Sequence, residues 1–236
     1  MGSAVLEYQR TGKAAKLRVL SSQFDEDEMP VEHLFRNFDN MPELEKTAME
    51  LAGGRVLDIG AGAGCHSLFL QEKGLDVTSV DISPLCCEAM RLRGLEDVRC
   101  LDILTDESDE PWKGSFNTIL MLMNGTGIAG TAQGLEPMLK TVSELLAPDG
   151  CILIDSSDLQ YLYMNDDGSM DIDLNAAYYG EVDYRMVYRN IKGKRFNWLY
   201  AGFPLLHSAA LRCGLKCELI AEGEHYDYLA KIQRTK

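Results

Sequence analysis

The densest chemical signal in the chain is a run of alternating glycines, Gly60-Ala61-Gly62-Ala63-Gly64. Glycines let backbone amides approach a ligand closely, as a turn around a nucleotide-bearing cofactor requires. Three carboxylates accompany the run: Asp58 just before it, Asp81 at 21 residues beyond Gly60, and Asp102 in "CLDI". The dinucleotide fingerprint is G-x-G-x-x-G, and here Cys65 stands where its third glycine belongs. A carboxylate at Asp58 suits a cationic ligand part better than a pyrophosphate. S-Adenosylmethionine (AdoMet) has an ammonium and a sulfonium, and loop amides can take its carboxylate. Asp81 falls beside the ribose of either cofactor and does not discriminate. Asp102 can accept from the adenine amine while Ile103 covers the ring edge. An NAD(P)-dependent oxidoreductase remains the alternative, as does a partner subunit that binds AdoMet without catalysis.

Such a cradle needs strand ends to position it. "RVLDIG", "LDVTSVD", "DVRCLD", "FNTILMLM" and "CILIDSSD" read as strands apolar on both faces, separated by helical segments. That pattern predicts a mostly parallel sheet covered by helices on both sides. Ser83 and Pro84 read as the cap and first position of one helix. Pro42 fits the first turn of another, running to about Ala52 with Leu44, Ala48 and Leu51 on one face. Residues 1–41 read as irregular, 165–173 as an acidic loop, and 181–202 as a hairpin turning at Ile191 to Gly193. A helix near Pro204 to Cys213 and two antiparallel strands close the chain.

At 236 residues and 46% hydrophobic, the chain can bury a full core in one α/β domain. A net charge of −14 opposes nucleic acid and anionic membranes. Arg10, Lys13, Lys16 and Arg18 lie close together and read as a solvated face. No membrane span or signal peptide is legible. Seven cysteines without a CxxC read as reduced core residues of a cytoplasmic protein, and no metal site is expected.

The chain resembles the class I AdoMet-dependent methyltransferases in "VLDIGAGAG", "VDIS", "LDI", "FNTILMLMNG" and "LLAPDGCILID". The resemblance implies a Rossmann-like, mostly parallel seven-stranded sheet with an N-terminal lid and an inserted β-hairpin. It divides one domain into lid and helices (1–52), AdoMet-binding core (53–158), hairpin insert (159–202) and closing elements (203–236). It implies that Asp58, Gly60, Ala61 and Gly62 hold the methionine end, Asp81 and Ile82 the ribose side, and Asp102 and Ile103 the adenine. Met123 would lie near the cofactor, whose product is S-adenosylhomocysteine (SAH). Asn117 departs from the family, where an acid commonly follows the Phe, and is expected to affect strand packing.

Methyl transfer from a sulfonium is an in-line displacement that needs alignment and dryness more than a fixed triad. The strand tips nearest the methyl group are expected to bear Asn124, which can orient an acceptor, Ser156-Ser157-Asp158, and His225, the candidate base. Phe35 and Arg36 are read either as lid residues closing on the methionine carboxylate or substrate, or as a packed ring and a solvated cation. Asp158 is expected beside them as a substrate contact. His66 and His207 read as capping or packing residues. Phe196, Trp198 and Tyr200 share one face of their strand and form an acceptor-pocket wall, a homodimer contact, or packing on the sheet. The acceptor is expected to be a small molecule.

Overall fold

A computed structural model describes residues 1–105, 112–165, 167, 169 and 177–235. Its elements are α1 (Gly2–Thr11), β1 (Leu17–Leu20), β2 (Asp27–Met29), α2 (Glu43–Leu51), β3 (Arg55–Ile59), α3 (Cys65–Glu72), β4 (Asp76–Asp81), α4 (Pro84–Leu92) and β5 (Asp97–Cys100). They continue as β6 (Phe116–Met121), α5 (Ala132–Glu144), β7 (Leu146–Ser157), β8 (Glu181–Tyr188), β9 (Ile191–Leu199), α6 (Phe203–Arg212), β10 (Leu215–Glu222) and β11 (Asp227–Arg234). Short 3-10 turns lie between several of them.

Seven strands form the main sheet in the order β10-β11-β7-β6-β3-β4-β5. The run from β7 to β5 is parallel, and β11 is antiparallel to both its neighbours. From β3 the chain winds outward through β4 to β5, then returns to lay β6 on the other side. The strand tips part at that reversal, which is where open α/β sheets bind ligands.

Period-two alternation explains the burial of both faces. Leu57, Ile119, Ile152 and Ile154 point to one side, against Leu135, Met138 and Leu139 of α5 and Leu206 of α6. Val56, Leu120, Leu153 and Leu229 point to the other, against Leu44 and Ala48 of α2 and Leu70 of α3. Ser83 accepts from Cys86 N–H at the head of α4, and Thr131 caps α5 in the same way. Leu51, read as inward-facing, is the last residue of α2, where the chain turns extended at Ala52, and is exposed instead. Asn117 holds the start of β3, its Oδ1 accepting from Arg55 N–H at 2.9 Å.

A second sheet, β2-β1-β8-β9, is antiparallel throughout. It makes the reading of residues 1–41 as irregular wrong in part. β1 pairs with β8, Leu17 opposite Tyr188, across most of the chain's length, so local sequence could not announce it. The α1 stripe Ala4, Val5 and Leu6 is buried as well. The hairpin turns at Arg189 and Asn190, with Arg189 left-handed (φ 53°), so Ile191 to Gly193 lie within β9. Much of the acidic loop read at 165–173 lies outside the described residues.

Arg10, Lys16 and Arg18 are paired with Glu88, Glu28 and Glu26 on the surface. Among the described residues no helix is long and apolar enough to cross a membrane. Five of the seven cysteines are buried, and Cys100 is exposed.

The segment joining β9 to α6 is fastened to the main sheet by Tyr228, whose buried hydroxyl donates to the Ala201 carbonyl at 2.7 Å. Tyr228→Phe strands that carbonyl and is expected to cost about 1–3 kcal/mol in urea unfolding. An unchanged midpoint would show that the bond contributes nothing.

Candidate functional site

The loop after β3 is shaped by its glycines. Gly60, Gly62 and Gly64 have φ of 76°, 59° and 77°, a region that other L-residues avoid. Gly60 and Ala61 donate their N–H groups to the Val80 carbonyl at 2.9 and 3.0 Å, bending the loop towards β4. Gly62 N–H donates to Asp81 Oδ2 at 2.9 Å, and Ser83 N–H donates to Oδ1 at 2.7 Å. Asp81 is thus fixed through both oxygens, each with a lone pair left for a ligand hydroxyl. Burial raises its pKa, and those two backbone donors oppose the rise.

Asp58 is only 2% exposed. It accepts from Ser67 Oγ at 2.6 Å, and Ser67 in turn accepts from Ser79. Burial raises its pKa, against the pull of His66 and Ser67, so a cation arriving at this carboxylate would meet an under-neutralised partner. Asp102 lies just past β5 and accepts from Leu104 N–H at 3.0 Å. Ile82 is 69% exposed, an apolar side chain with no protein partner over most of its surface.

These residues line one cavity of about 1360 Å³: Asp58, Gly60, Ala61, Gly62, Asp81, Ile82, Asp102, Ile103, Met123 and Asn124 all face it. A Cβ added at Gly62 meets nothing nearer than 3.9 Å, so it would occupy cavity space. Open glycine backbone, a carboxylate with free lone pairs, an under-neutralised carboxylate and a bare isoleucine fit a nucleoside with a cationic tail.

The second sheet lies across the same space. Tyr184, Phe196, Trp198 and Tyr200 line it. Trp198 packs so closely on Gly127 that a Cβ there would overlap the indole. The N-terminal segment contributes Phe24 through Pro30, His33 and Leu34. Asn124 accepts from Ser157 Oγ at 2.9 Å through Oδ1.

Four predicted residues lie elsewhere. Phe35 does not line the cavity; its ring packs on Tyr8 and under the Arg93 guanidinium. Arg36 is neither solvated nor in the cavity. It is 6% exposed and donates to both oxygens of Glu45, at 2.6 to 2.9 Å. Asp158 caps the turn at 159–162 and accepts from Tyr179 Oη at 2.6 Å, which uses its carboxylate structurally. His225 is exposed on the β10–β11 turn and lines a smaller outer hollow of about 370 Å³; Asp227 reaches the main cavity from that turn.

Glu45 and Asp155 also line the cavity, and sequence reading missed both. Glu45 accepts from Arg36 and lies 3.0 Å from His66 Nε2. Burial pushes Glu45 upward, but His66 and Arg36 outweigh it and hold its pKa below the ordinary range. For His66 burial opposes the charge, and Cys65, Glu45 and Asp58 overcome it, so its pKa stands well above ordinary. The missed signal was Glu45 among Leu44, Ala48 and Met49 on one side of α2: all four are buried, so the charge needed a partner. Among the described residues no three His, Cys, Asp or Glu side chains group to hold a metal ion.

Comparison with known proteins agrees with this geometry. A family profile described as "Methyltransferase domain" matches residues 56–150. A SAM-dependent methyltransferase from Bacteroides fragilis, solved in complex with S-adenosyl-L-homocysteine, is 49% identical. The match covers 100% of this chain and 94% of that one, with a TM-score of 0.90. The sugar N-methyltransferase KedS8 from Streptoalloteichus shares the fold at 16% identity and a TM-score of 0.59, covering 92% and 98% of the two chains. A ubiquinone biosynthesis O-methyltransferase from Xanthomonas euvesicatoria is 37% identical over 82 residues, 33% of this chain. The match spans about a third (34%) of that curated relative's length.

Removing one member of a buried ion pair leaves the other unpaired. Arg36→Ala is therefore expected to cost about 3–5 kcal/mol in chemical unfolding. Arg36→Ala with Glu45→Ala should cost less than the two single changes added together. Strict additivity would show that the pair is not coupled.

Proposed function

The chain belongs to the class I AdoMet-dependent methyltransferases, and we propose that it transfers the methyl group to a metabolite-sized acceptor held under the aromatic face of the second sheet. The carrying observation is that one continuous cavity is lined both by the glycine–carboxylate cradle and by Tyr184, Phe196, Trp198 and Tyr200. Its volume of about 1360 Å³ exceeds the ~300–1,000 Å³ of a typical single-ligand pocket, so there is room for cofactor and acceptor together.

AdoMet, when bound, supplies a methyl carbon made electrophilic by its sulfonium. Asp58 and the loop from Gly60 to Gly62 would hold the methionine end. Asp81 would accept from the ribose hydroxyls, and Ile82, Asp102 and Ile103 would take the adenine. Met123 and Asn124 line the same cavity, and Asn124 would orient the acceptor. The wall and the N-terminal segment would exclude water, so that nucleophile and methyl group meet in a dry, aligned pair. The two sheets would act as one unit, since both line the cavity. The bound SAH named for the Bacteroides fragilis protein supports the cofactor, and the curated relative named for ubiquinone biosynthesis supports a small acceptor. Unpaired cysteines suit a reducing, cytoplasmic setting.

Calorimetry with SAH and with NAD tests this reading. SAH is expected to bind and NAD is not. Asp81→Ala and Asp102→Ala should each weaken SAH by about 1–3 kcal/mol, the cost of losing a buried polar partner. SAH should also accumulate from AdoMet in a broad metabolite extract, and Asp58→Ala should slow it. NAD binding without an SAH signal would falsify the cofactor assignment.

A further inference from the structure

The tip of β6 holds an unusual turn. Met123 and Asn124, two consecutive residues other than glycine, are left-handed, with φ of 66° and 59°. L-side chains avoid this region unless the surroundings impose it. Met123, Asn124 and Gly125 all line the cavity, so the strained turn is part of its wall.

The surroundings that impose it are three consecutive side chains ending β7. The β6–β7 ladder pairs Met121 with Ile154 and goes no further, so backbone pairing cannot hold the turn. Side chains take over at the next residue. Asp155 accepts from Met123 N–H through Oδ2 and from Gly125 N–H through Oδ1, each at 3.1 Å. Ser156 Oγ lies 2.6 Å from Thr126 Oγ1, and Ser157 Oγ donates to Asn124. Among the described residues only Asp155 accepts from backbone N–H groups on both sides of Asn124.

We propose that Asp155 is a positioning residue for methyl transfer, its carboxylate clasping the Met123–Gly125 turn in the left-handed shape that presents Met123 and Asn124 to the cavity. This rests on the reading of the cavity as an acceptor site, but the clasp itself does not.

The clasp needs both carboxylate oxygens as acceptors, so it depends on ionisation. Burial pushes Asp155 up to about 6, against the Gly125 and Met123 amides that favour its charge. Glu45 on α2 raises it further and His66 on α3 opposes, while the Tyr228 phenol faces it from β11. As pH falls through about 6, one oxygen becomes a donor and one of the two N–H groups loses its acceptor. The folded value lies above that of a free carboxyl. Protonation of this group therefore favours the folded chain between about 6 and the unfolded value. Local loosening and global unfolding then run in opposite directions for this group.

Amide hydrogen exchange with SAH bound, comparing wild type, Asp155→Asn and Asp155→Ala, tests the proposal. Protection factors at Met123 and Gly125 should both fall roughly ten- to hundredfold in Asp155→Ala, and at least one of them should fall so in Asp155→Asn, whose amide keeps a single acceptor oxygen, while amides of β3 and β4 keep theirs. In wild type the same two amides should lose protection as pH falls through about 6, and Asp155→Asn should lack that pH dependence. SAH formation from the extract should slow in the variants. Unchanged protection with lost turnover would overturn the clasp and make Asp155 a group acting on the acceptor itself. Unchanged protection and turnover would mean that the turn holds its own shape. If neither variant folds, the wild-type pH series decides: protection at Met123 and Gly125 that ignores pH contradicts the proposal. If even wild type forms no SAH, the acceptor reading fails, and the exchange data still decide the clasp.

Discussion

The hydrogen bond from Gly62 N–H to the Asp81 carboxylate joins the tips of two neighbouring parallel strands, and the site is built around it. Parallel strands running side by side leave their ends as loose loops with unpaired amides. Here the β3 loop is drawn over β4 by Val80 and locked by Asp81, whose second oxygen takes Ser83 N–H at the head of α4. The glycines are the condition for this bond, since a side chain at φ 59° would strain the loop and fill the cavity. One carboxylate thus sets the loop, orients the helix that follows and keeps lone pairs for a ligand. Asp58 and Asp102 then have a fixed frame on either side.

The same economy governs the cover of the cavity. The main sheet alone would leave its tips open to water. The cover comes from two segments far apart in sequence, β1–β2 and β8–β9, which become one sheet by pairing Leu17 with Tyr188. Its inward aromatic residues are half-buried rather than packed away, which leaves their faces for something flat or apolar. Behind the cradle, Arg36, Glu45 and His66 form a charged cluster that costs desolvation and is tolerated because every member has a partner. That cluster ties the N-terminal segment to α2 and α3, so the cover and the cradle are anchored to each other.

The cradle was legible in sequence because each of its parts depends on local pattern. Glycine spacing, apolar strands and an acid at each strand end survive without tertiary information, and they located Asp58, Asp81 and Asp102 at one cavity. Of the cover, the β8–β9 hairpin was legible, but its pairing with β1 and β2 was not, because a three-residue strand such as β2 exists only through its partner. Arg36 was misread because its partner Glu45 lies on another element, and a cation near a pocket gives no hint of whether it faces in or away. Asp158 and His225 failed for a simpler reason. Being near a strand tip fixes position along the chain, but side chains alternate, and Asp155 of β7 and Asp227 of β11 line the main cavity instead. The β9 aromatics were readable as a shared face, and only the β8–β9 pairing decided what that face looks upon.

A crystal structure of the chain with SAH bound tests the central claim most directly. The expected result has the ribose on Asp81, the adenine between Ile82 and Ile103, and the sulfur directed past Asn124 towards Tyr184 and Trp198, with empty volume between. A sulfur directed away from the second sheet, or an aromatic wall that fills the space beyond it, would contradict the account.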